Sequence, residues 1–490
     1  MNGESSSDRR RGFASQAAPH RPILVILGWL VLSVGLPLAL VADVRPTAST
    51  ASWAVTLTVM VYAGSRLSIN ISSLRQDFSD FFFLLFVYIF MGLAPTVQLR
   101  SGSLGHAIEG TDATTYGTAA VLVALGLISY EVTRVVARLA RERDKMVRRE
   151  ISVQRVRVLT AVALLGAVYV VAKLGPKAFS LRREDFDRLV ASVWHDQATS
   201  AIVMSTVIAA LLVSAHGWLG IARSGGQGAA TRRALGWLTA LLVMAIANPV
   251  NSARQLFGTV WGSFVIGAPF ARSRRGAPVV KVLIVVALIF LFPTADRFRR
   301  AGTSGTSRTG LFDEYLGGDY DAFGMLTNAV SYVQTYGIVW GHQLLGSLLF
   351  FVPRQFWPGK PVDTGVLLSE FRGYGFTNRS APLWAEAYIN FGVVGVVGVF
   401  AALAYILRRI DTAADVHAPL AVANIVTAVL PPYLLILLRG SLLQATGFIA
   451  VFAVAAWAIS RRRVLSPRED HQQPTARGHS RYRRNGASFE

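Results

Sequence analysis

The chain contains no cysteine and few acidic residues for its length. The absence of cysteine excludes disulfide bonds, thiolate metal sites and a cysteine nucleophile. Against 28 acidic residues stand 49 lysines and arginines, which gives a formal net charge of +21. Such a charge is compatible with nucleic-acid binding, but the cytoplasmic loops of membrane proteins are also rich in basic residues. We assign the charge to membrane topology and expect no nucleic-acid partner.

Long polar stretches are also scarce. The 490 residues are 52% hydrophobic and 16% charged, and the apolar residues form continuous runs of about 20 residues, the length that crosses a bilayer. The alternating hydrophobicity of outer-membrane barrel strands is not seen. The sequence therefore predicts an all-α polytopic membrane bundle of about twelve transmembrane helices. The predicted spans are 23–42, 51–69, 80–98, 115–136, 157–174, 198–221, 234–249, 255–270, 279–293, 384–407, 418–437 and 441–460.

Basic residues cluster in alternate connections between these spans. Because basic loops stay in the cytoplasm, this alternation places both termini there, and the chain is predicted to be a multi-pass protein of a cytoplasmic membrane. If the apolar run 336–352 crossed the membrane as a further span, the basic segments after it would lie outside the cell. We therefore expect a re-entrant or interfacial helix there. The basic clusters are Arg66 and Arg75, Arg134–Arg157, Arg223–Arg233, Arg272–Lys281, Arg408 and Arg409, and Arg461–Arg463.

These predictions divide the chain into five parts. Residues 1–22 form a disordered cytoplasmic tail, and 23–293 form an N-terminal transmembrane bundle of about nine spans. Residues 294–383 form a large extracytoplasmic loop with short or re-entrant helices. Residues 384–460 form about three C-terminal spans, and 461–490 form a second disordered cytoplasmic tail.

The long loop is the expected site of chemistry, because function in polytopic proteins concentrates where polar residues gather at the rim of an apolar bundle. Arginine binds phosphate oxygens through a planar fork and stays charged, so the basic residues here predict a cradle for a diphosphate. Contact with lipid headgroups is the alternative. The candidates are Arg254, Arg299, Arg354, Lys360, Arg372 and Arg379, with Asn251 beside them.

Other polar or aromatic residues in this region allow two interpretations each. Trp357 could stack on a sugar or anchor at the membrane interface. Asp319 and Asp321 resemble a metal-binding pair, but they precede a helical pattern, so we expect at least one to cap that helix and expect no metal. Glu386 is either a partner of an arginine or a base, and His342 is either a general base or a hydrogen-bonded structural residue.

Four segments together resemble a known family. They are Asn251–Arg254, Gly318–Leu326, the Pro-Arg-x-x-Trp-Pro-x-Lys-Pro string within Val352–Pro361, and Pro382–Gly392. Over roughly 245–410 the chain resembles the Wzy-type oligosaccharide repeat-unit polymerases, the O-antigen polymerase family, and more distantly the O-antigen ligases.

The resemblance implies a membrane glycosyltransferase with a multi-span helical fold. It would join repeat units carried on undecaprenyl diphosphate outside the membrane, with inversion and without a metal or other cofactor. The implied partners are the lipid-linked oligosaccharide, membrane lipids, and flippase and chain-length regulator proteins. Arg254, Arg354, His342 and Glu386 are then the catalytic candidates. Lys360, Arg379, Arg299, Trp357, Arg372 and Asn251 are the substrate-binding candidates.

Two other functions stay open. An O-antigen ligase-like transferase would use the same donor and leaving group, so residue chemistry does not separate it from a polymerase. A transporter or flippase of lipid-linked oligosaccharides would show internal repeats and polar residues in mid-membrane. The sequence shows no repeat, and its polar residues are predicted to gather at the outer rim.

Overall fold

A computed structural model describes residues 21–47, 51–73, 77–102, 104, 113–139, 148–195, 197–293, 310–377, 379–414 and 417–463. Within these ranges nearly all regular structure is helical. Eight helices are long and apolar enough to cross a membrane: α1 (Pro22–Asp43), α2 (Ser52–Ser72), α3 (Phe78–Ser101), α4 (Ala113–Leu139), α5 (Val153–Leu174), α7 (Gln197–Arg223), α8 (Ala229–Ile246) and α14 (Leu383–Ala413).

Shorter helices complete the described chain. Four occupy predicted spans: α9 (Arg254–Gly267), α10 (Gly276–Leu291), α15 (Ala423–Arg439) and α16 (Leu442–Ala458). Four others lie outside the predicted spans: α6 (Arg183–Val193), α11 (Ala322–Tyr336), α12 (His342–Leu348) and α13 (Thr364–Arg372). The prediction of an all-α membrane protein is confirmed. The count of about twelve spans stays a prediction, because α9 has 14 residues and α15 has 17, fewer than the roughly 20 that cross a bilayer.

The long helices expose large apolar side chains on one side. On α5, Leu165 is 71% exposed and Val168 is 65% exposed, whereas Ala163 and Ala167 on the opposite side are buried. A water-soluble protein rarely exposes contiguous apolar surface of this kind. Lipid is the solvent that suits it, which supports the membrane assignment.

Helix α14 is bent near its first third, at Phe391 and Gly392. Gly392 has a φ of 61°, which lies in the left-handed region and favours glycine. The bend leaves carbonyl groups of the preceding turn without partners inside the helix. Residues of a neighbouring segment satisfy them: the Val339 N–H donates to the Ile389 carbonyl at 3.0 Å, and the Gly341 N–H donates to the Asn390 carbonyl at 3.2 Å.

The same segment corrects an expectation from sequence. One helix does not cover the whole run 336–352, because α11 ends at Tyr336 and Gly337 follows with a φ of 81°. The re-entrant or interfacial position of the run stays a prediction. The chain then runs along the bend of α14 and forms only the short α12. The apolar run reflects packing against α14 and α16 rather than one continuous helix.

Two short strands lie where loop and tail were expected. β1 (Arg148–Ile151) pairs antiparallel with β2 (Ser460–Arg463). The pair is fixed to the connection before α15, because the Ile151 N–H donates to the Leu420 carbonyl at 2.8 Å and the Val422 N–H donates to the Arg149 carbonyl at 3.0 Å. Of the predicted tails 1–22 and 461–490, residues 1–20 and 464–490 lie outside the described residues.

The bundle has two ends that differ in what covers them. Residues 310–382 lie at one end, which we call the loop end, and β1 and β2 lie at the other, which we call the sheet end. Sequence predicts that the loop end faces outward and the sheet end faces the cytoplasm. Two hydrophobic clusters fill the space between, one around α2, α3 and α14 and the other around α7, α15 and α16.

A buried ionic cluster near the sheet end was not predicted. Arg134 on α4 pairs with Asp80 on α3 at 2.9 Å, and both side chains are only 2–3% exposed. The Asp80 carboxylate also accepts the Tyr130 hydroxyl at 3.1 Å. Arg66 on α2 forms two hydrogen bonds with Glu131, of 2.9 and 3.2 Å. These contacts join α2, α3 and α4, whose charges are separated in sequence and meet only in the fold.

The cluster extends to α10 and α14. The Lys281 ammonium is fully buried and donates to the Asn70 side-chain oxygen at 2.7 Å, while the Asn70 amide donates to Asp80 at 3.0 Å. The Asp411 carboxylate accepts the backbone N–H groups of Ser79 and Asp80, at 3.2 and 3.3 Å. It therefore satisfies N–H groups in the first turn of α3, which otherwise have no partner within the helix.

Candidate functional site

Arg254 lies at the loop end as the first residue of α9. Its guanidinium pairs with Asp319 at 3.1 Å and lies 4.9 Å from the centre of the Phe292 ring. The Arg254 and Asp319 side chains are 30% and 33% exposed. A pair with this exposure keeps contact with solvent, so an incoming anion can compete with Asp319 for the arginine.

Asp321 occupies the N-cap position of α11, but its side chain does not cap the helix. Its carboxylate pairs instead with Arg439 at 3.2 Å and accepts the Ser380 N–H at 3.2 Å. Asp319 lies in a one-turn 3₁₀ helix and pairs with Arg254. The expectation that one of the two aspartates caps α11 is therefore wrong, because arginines from α9 and α15 engage both carboxylates.

The segment 379–381 lies beside the end of α15. The Ala381 N–H donates to the Arg439 carbonyl at 3.1 Å, and the Arg379 guanidinium lies 4.5 Å from the centre of the Tyr374 ring. Three polar atoms at this junction are buried and have no hydrogen-bond partner within the described residues: Arg379 Nε, Ser380 Oγ and Arg439 Nε. Buried polar atoms are nearly always hydrogen-bonded. Two of these three atoms belong to arginine cations. Donors that lack a protein partner suit the oxygen atoms of a bound anion.

Two carboxylates meet next to this junction. Glu386 is 1% exposed, and its oxygens accept the Thr364 hydroxyl at 3.0 Å and the Leu442 N–H at 2.9 Å. Asp363 caps α13 through the Gly365 N–H at 2.8 Å and also accepts the Ser441 hydroxyl. Thr364 and Leu442 thus hold the Glu386 carboxylate, while Gly365 and Ser441 hold the Asp363 carboxylate. Within the described part of the chain no arginine pairs with Glu386, so the expected arginine partner is not found there.

Asp363 is the more accessible of these two acids. It occupies the N-cap position of α13 and is half-buried, whereas Glu386 is buried within α14. Burial raises the pKa of Asp363 above its ordinary value, because the charged form loses hydration, and the hydrogen bond from Ser441 opposes this only in part. The carboxyl group is therefore closer to neutrality than an exposed aspartate, which suits a group that accepts a proton.

The basic residues of the Pro-Arg-x-x-Trp-Pro-x-Lys-Pro string bind their own loop. Arg354 donates to the carbonyl groups of Lys360 at 2.6 Å and Pro361 at 3.1 Å. The Lys360 ammonium donates to the carbonyl groups of Phe350 at 2.7 Å and Val352 at 2.9 Å. Lys360 is nearly fully buried, whereas Arg354 is exposed. These bonds stabilise the turn, and of the two side chains only Arg354 remains open to a substrate.

The remaining candidates are distributed around the same end. His342 is exposed, and its ring lies 6.3 Å from that of Trp357 in an edge contact. Arg372 donates to Asn328 at 2.9 Å and to Ser331 at 2.7 Å on α11. Asn251 is buried and donates to the Ile246 carbonyl at 3.2 Å, so it shapes the turn before α9. Arg299 lies outside the described residues.

Arg439, Ser380 and Asp363 join the site without having been predicted from sequence. Arg439 had one signal, since it is a lone charge at the end of an apolar span on the side predicted to lack basic residues. Asp363 and Ser380 had no signal, because aspartate and serine are ordinary residues of turns and helix caps. Among the described residues no group of three or more histidines and acids is arranged to hold a metal ion.

Comparison with known proteins gives no match: neither a family model, nor a curated protein, nor a solved structure is similar to this chain. The chemistry of the loop end is therefore the basis of the functional proposal.

Proposed function

We propose that the chain is a polysaccharide polymerase of the bacterial cytoplasmic membrane, which joins oligosaccharide units carried on undecaprenyl diphosphate at the outer face. One observation carries this proposal. Arg379 Nε, Ser380 Oγ and Arg439 Nε are buried without hydrogen-bond partners in the described chain, next to two adjacent carboxylates. An anion site beside a proton acceptor is what transfer from a diphosphate requires. The resemblance of residues 245–410 to Wzy-type polymerases supplies the substrate class.

In the proposed reaction a hydroxyl oxygen of the acceptor sugar forms a bond to the anomeric carbon of the donor sugar. The bond between that carbon and the diphosphate oxygen breaks, and undecaprenyl diphosphate leaves with the bonding electron pair. The hydroxyl proton passes to a base on the protein. A diphosphate is already a good leaving group, so the protein has to supply positive charge, a base and correct positioning.

Arginines provide the positive charge in this proposal. Arg379 and Arg439 offer unused N–H groups, and Arg254 is reachable because its pair with Asp319 is partly exposed. A guanidinium contact to the diphosphate strengthens as negative charge develops on the leaving oxygen, so it stabilises the transition state more than the bound substrate. Arg354 is a further contact at the rim, since two of its N–H groups already bind the loop.

The base is assigned to the pair of Asp363 and Glu386. Asp363 can meet an acceptor hydroxyl because it is only partly buried, whereas Glu386 is buried. The oxygens of both carboxylates accept hydrogen bonds from the protein. Ser441 follows Arg439 by two residues and donates to Asp363, which brings the base close to the anion site. His342 is the second candidate base. It lies beside Trp357 of the 350–361 loop.

The decisive experiment is a gel of surface glycan from a strain that lacks the gene. A polymerase predicts that the ladder collapses to a single repeat unit, and that the full ladder returns with the wild-type gene. Full-length lipid-linked chains that never reach their acceptor indicate a ligase instead. Accumulation of single repeat units inside the cell indicates a flippase and contradicts the proposal.

A further inference from the structure

The two strands at the sheet end place arginines opposite one another. In the register of β1 and β2, Arg149 faces Arg462. Like charges directly opposite in an antiparallel pair are destabilising. Glu150 is the single acid of the two strands and pairs with Arg461 at 3.5 Å, while the Arg461 side chain is 60% exposed. The sheet therefore carries an excess of positive charge that its own residues do not neutralise.

The sheet is nevertheless held firmly in place. The Arg149 guanidinium donates to the Ser460 hydroxyl at 3.1 Å, and the Ser152 N–H donates to the Ile459 carbonyl at 2.9 Å. A hairpin of two strands is at best marginally stable in water, and these strands have only four residues each. The fold thus keeps an electrostatically unfavourable arrangement ordered. The preference for basic cytoplasmic loops explains how many arginines are present, but it does not explain why Arg149 and Arg462 face each other.

The surroundings place the sheet at the level of lipid headgroups. α5 begins two residues after β1, and α16 ends two residues before β2, so the strands lie where both helices reach the end of the bundle. Trp457, in the last turn of α16, is 65% exposed, and Val158 near the start of α5 is 61% exposed. Exposed tryptophan marks the boundary between hydrocarbon and headgroups.

We propose that β1 and β2 form a binding site for the phosphate of an anionic phospholipid. Arg149 and Arg462, whose side chains lie on the same face of the pair, hold the phosphate between the strands. The lipid chains extend along the apolar surface of α5 and α16. A phosphate between the facing arginines turns their repulsion into attraction, since guanidinium and phosphate form paired charge-assisted hydrogen bonds.

The test uses the purified full-length protein in phosphatidylcholine micelles, with phosphatidylglycerol of the same acyl chains added in steps. The readout is the midpoint of thermal unfolding against lipid fraction, which gives an apparent affinity. We expect phosphatidylglycerol to raise the midpoint of the wild type. Arg462→Gln weakens the apparent affinity about fivefold, as expected for one arginine near an anionic surface, and adding Arg149→Gln weakens it further.

The matched controls are Arg275→Gln and the double variant Arg274→Gln with Arg275→Gln. These exposed arginines lie on another connection at the sheet end, and their loss is expected to leave the phosphatidylglycerol effect unchanged. In phosphatidylcholine alone, Arg462→Gln should unfold at or above the wild-type midpoint, because it removes a repulsion. An equal drop in both lipids would mean a purely structural role and would overturn the proposal.

Two further outcomes also overturn it. One is an equal loss of affinity in the control variants, which would show a general charge effect. The other is an equal rise of the midpoint with inorganic phosphate at the same concentration, which would show that a free anion suffices.

Discussion

The two ends of the bundle both gather charged residues, but they expose them differently. At the sheet end, Arg134 and Asp80 are almost completely buried and come from rigid helices. At the loop end, Arg254 and Asp319 are each about one-third exposed, and Asp319 comes from a short turn. Both ends also contain arginine Nε groups without hydrogen-bond partners among the described residues, on Arg134 at one end and on Arg379 and Arg439 at the other.

The difference in exposure separates a structural role from a chemical one. No solute reaches Arg134, whose side chain is 2% exposed, whereas Arg439 is 19% exposed and lies beside a loop. A buried ion pair adds little net stability over an apolar pair, but loss of one partner is costly because the other charge stays buried. A pair that is about one-third exposed, such as Arg254 and Asp319, can lose a partner and be rehydrated. Substitutions in the sheet-end cluster should therefore affect folding, and removal of Arg254 should affect turnover, whereas Asp321, with a side chain 5% exposed, also contributes to stability.

The first prediction tests which side of the membrane each end faces. The chain has no cysteine, so a single introduced cysteine reports its own position. Gly375→Cys at the loop end and Gln227→Cys at the sheet end are both exposed. We expect an impermeant thiol reagent to label position 375 in intact cells, and position 227 only after permeabilisation.

Position 365 is unsuitable for this test, although it lies in the same loop. A side chain at Gly365 would place its Cβ 2.4 Å from the Arg379 carbonyl oxygen. At Gly375 no atom lies within 4 Å of the added Cβ. Labelling of position 227 in sealed cells would reverse the orientation and place the loop-end site in the cytoplasm.

The second prediction removes a charge from the sheet-end cluster. Arg134→Ala removes the nearer of the two arginines that pair with the buried Asp80 and leaves Arg66 at 4.0 Å, at a cost of up to roughly 3–5 kcal/mol. We expect little folded protein in the membrane and a much lower unfolding temperature in detergent. Arg138→Ala is the matched control, because Arg138 is exposed one turn further along the same helix. If both variants accumulate like the wild type, the cluster does not stabilise the fold.

Sequence predicts the helices well because the signal for a span is local. A run of apolar residues has to be helical in lipid, since every backbone polar group needs a partner within the segment. The break of α14 at Phe391 and Gly392 was not predicted, because it depends on residues 339–341 of another segment to satisfy the freed carbonyl groups. The interruption of the 336–352 run has the same cause, since that segment is what docks there.

The charged clusters were harder to predict for a related reason. In the sequence, Asp80 and Arg134 are ordinary charged residues near the ends of predicted spans. Only the packing of α3 on α4 shows that they form a buried pair. At the loop end, composition predicted a gathering of arginines but not their partners. Arg354 stood out in its motif, yet two of its N–H groups bind the carbonyl groups of its own loop, whereas the lone Arg439 has a buried N–H without a partner in the described chain.

The third prediction concerns the arginines of the loop end. We expect Arg439→Ala and Arg379→Ala to lower glycan polymerisation by about 10²–10³-fold, the usual effect of removing one donor to a developing negative charge. Arg254→Ala should act in the same direction. Lysine keeps the charge but not the fork, so Arg439→Lys should stay impaired.

The measurement is glycan chain formation in cells with equal amounts of each variant in the membrane. Arg188→Ala is the control, since Arg188 on α6 is 76% exposed. Arg354→Ala should have a smaller effect than Arg439→Ala, because part of its hydrogen bonding is within the loop. Wild-type polymerisation by both Arg439→Ala and Arg379→Ala would place the anion site elsewhere.

The fourth prediction uses pH to test Asp363 as the base. Asparagine caps a helix as well as aspartate does, so Asp363→Asn should keep α13 and lose only the charge. Because burial raises the pKa of Asp363 in the folded state, activity of the wild type should fall as pH drops through that raised value. The variant should retain little activity and lose this pH dependence.

The sign for stability is opposite to that for activity. Between the ordinary pKa of an aspartate and the raised value, the folded chain binds the proton more tightly than the unfolded chain. The contribution of Asp363 to stability therefore declines as pH rises through this window. Asp363→Asn should flatten the decline, while Asp185→Asn, at an exposed carboxylate, should not. An unchanged pH–activity profile for Asp363→Asn would leave His342 as the base.

The smallest effect is expected from metal removal, which tests whether the aspartates of the loop end act as ligands. Asp319 and Asp321 are engaged by Arg254 and Arg439, and a divalent cation would have to displace both arginines to bind there. We therefore expect EDTA to leave polymerisation by membrane preparations unchanged, while Asp321→Asn mainly lowers the unfolding temperature by weakening the contact between α11 and α15. A loss of activity on chelation that Mg²⁺ or Mn²⁺ restores would contradict this assignment. The two aspartates would then be metal ligands, and the arginines beside them would have to turn toward the substrate.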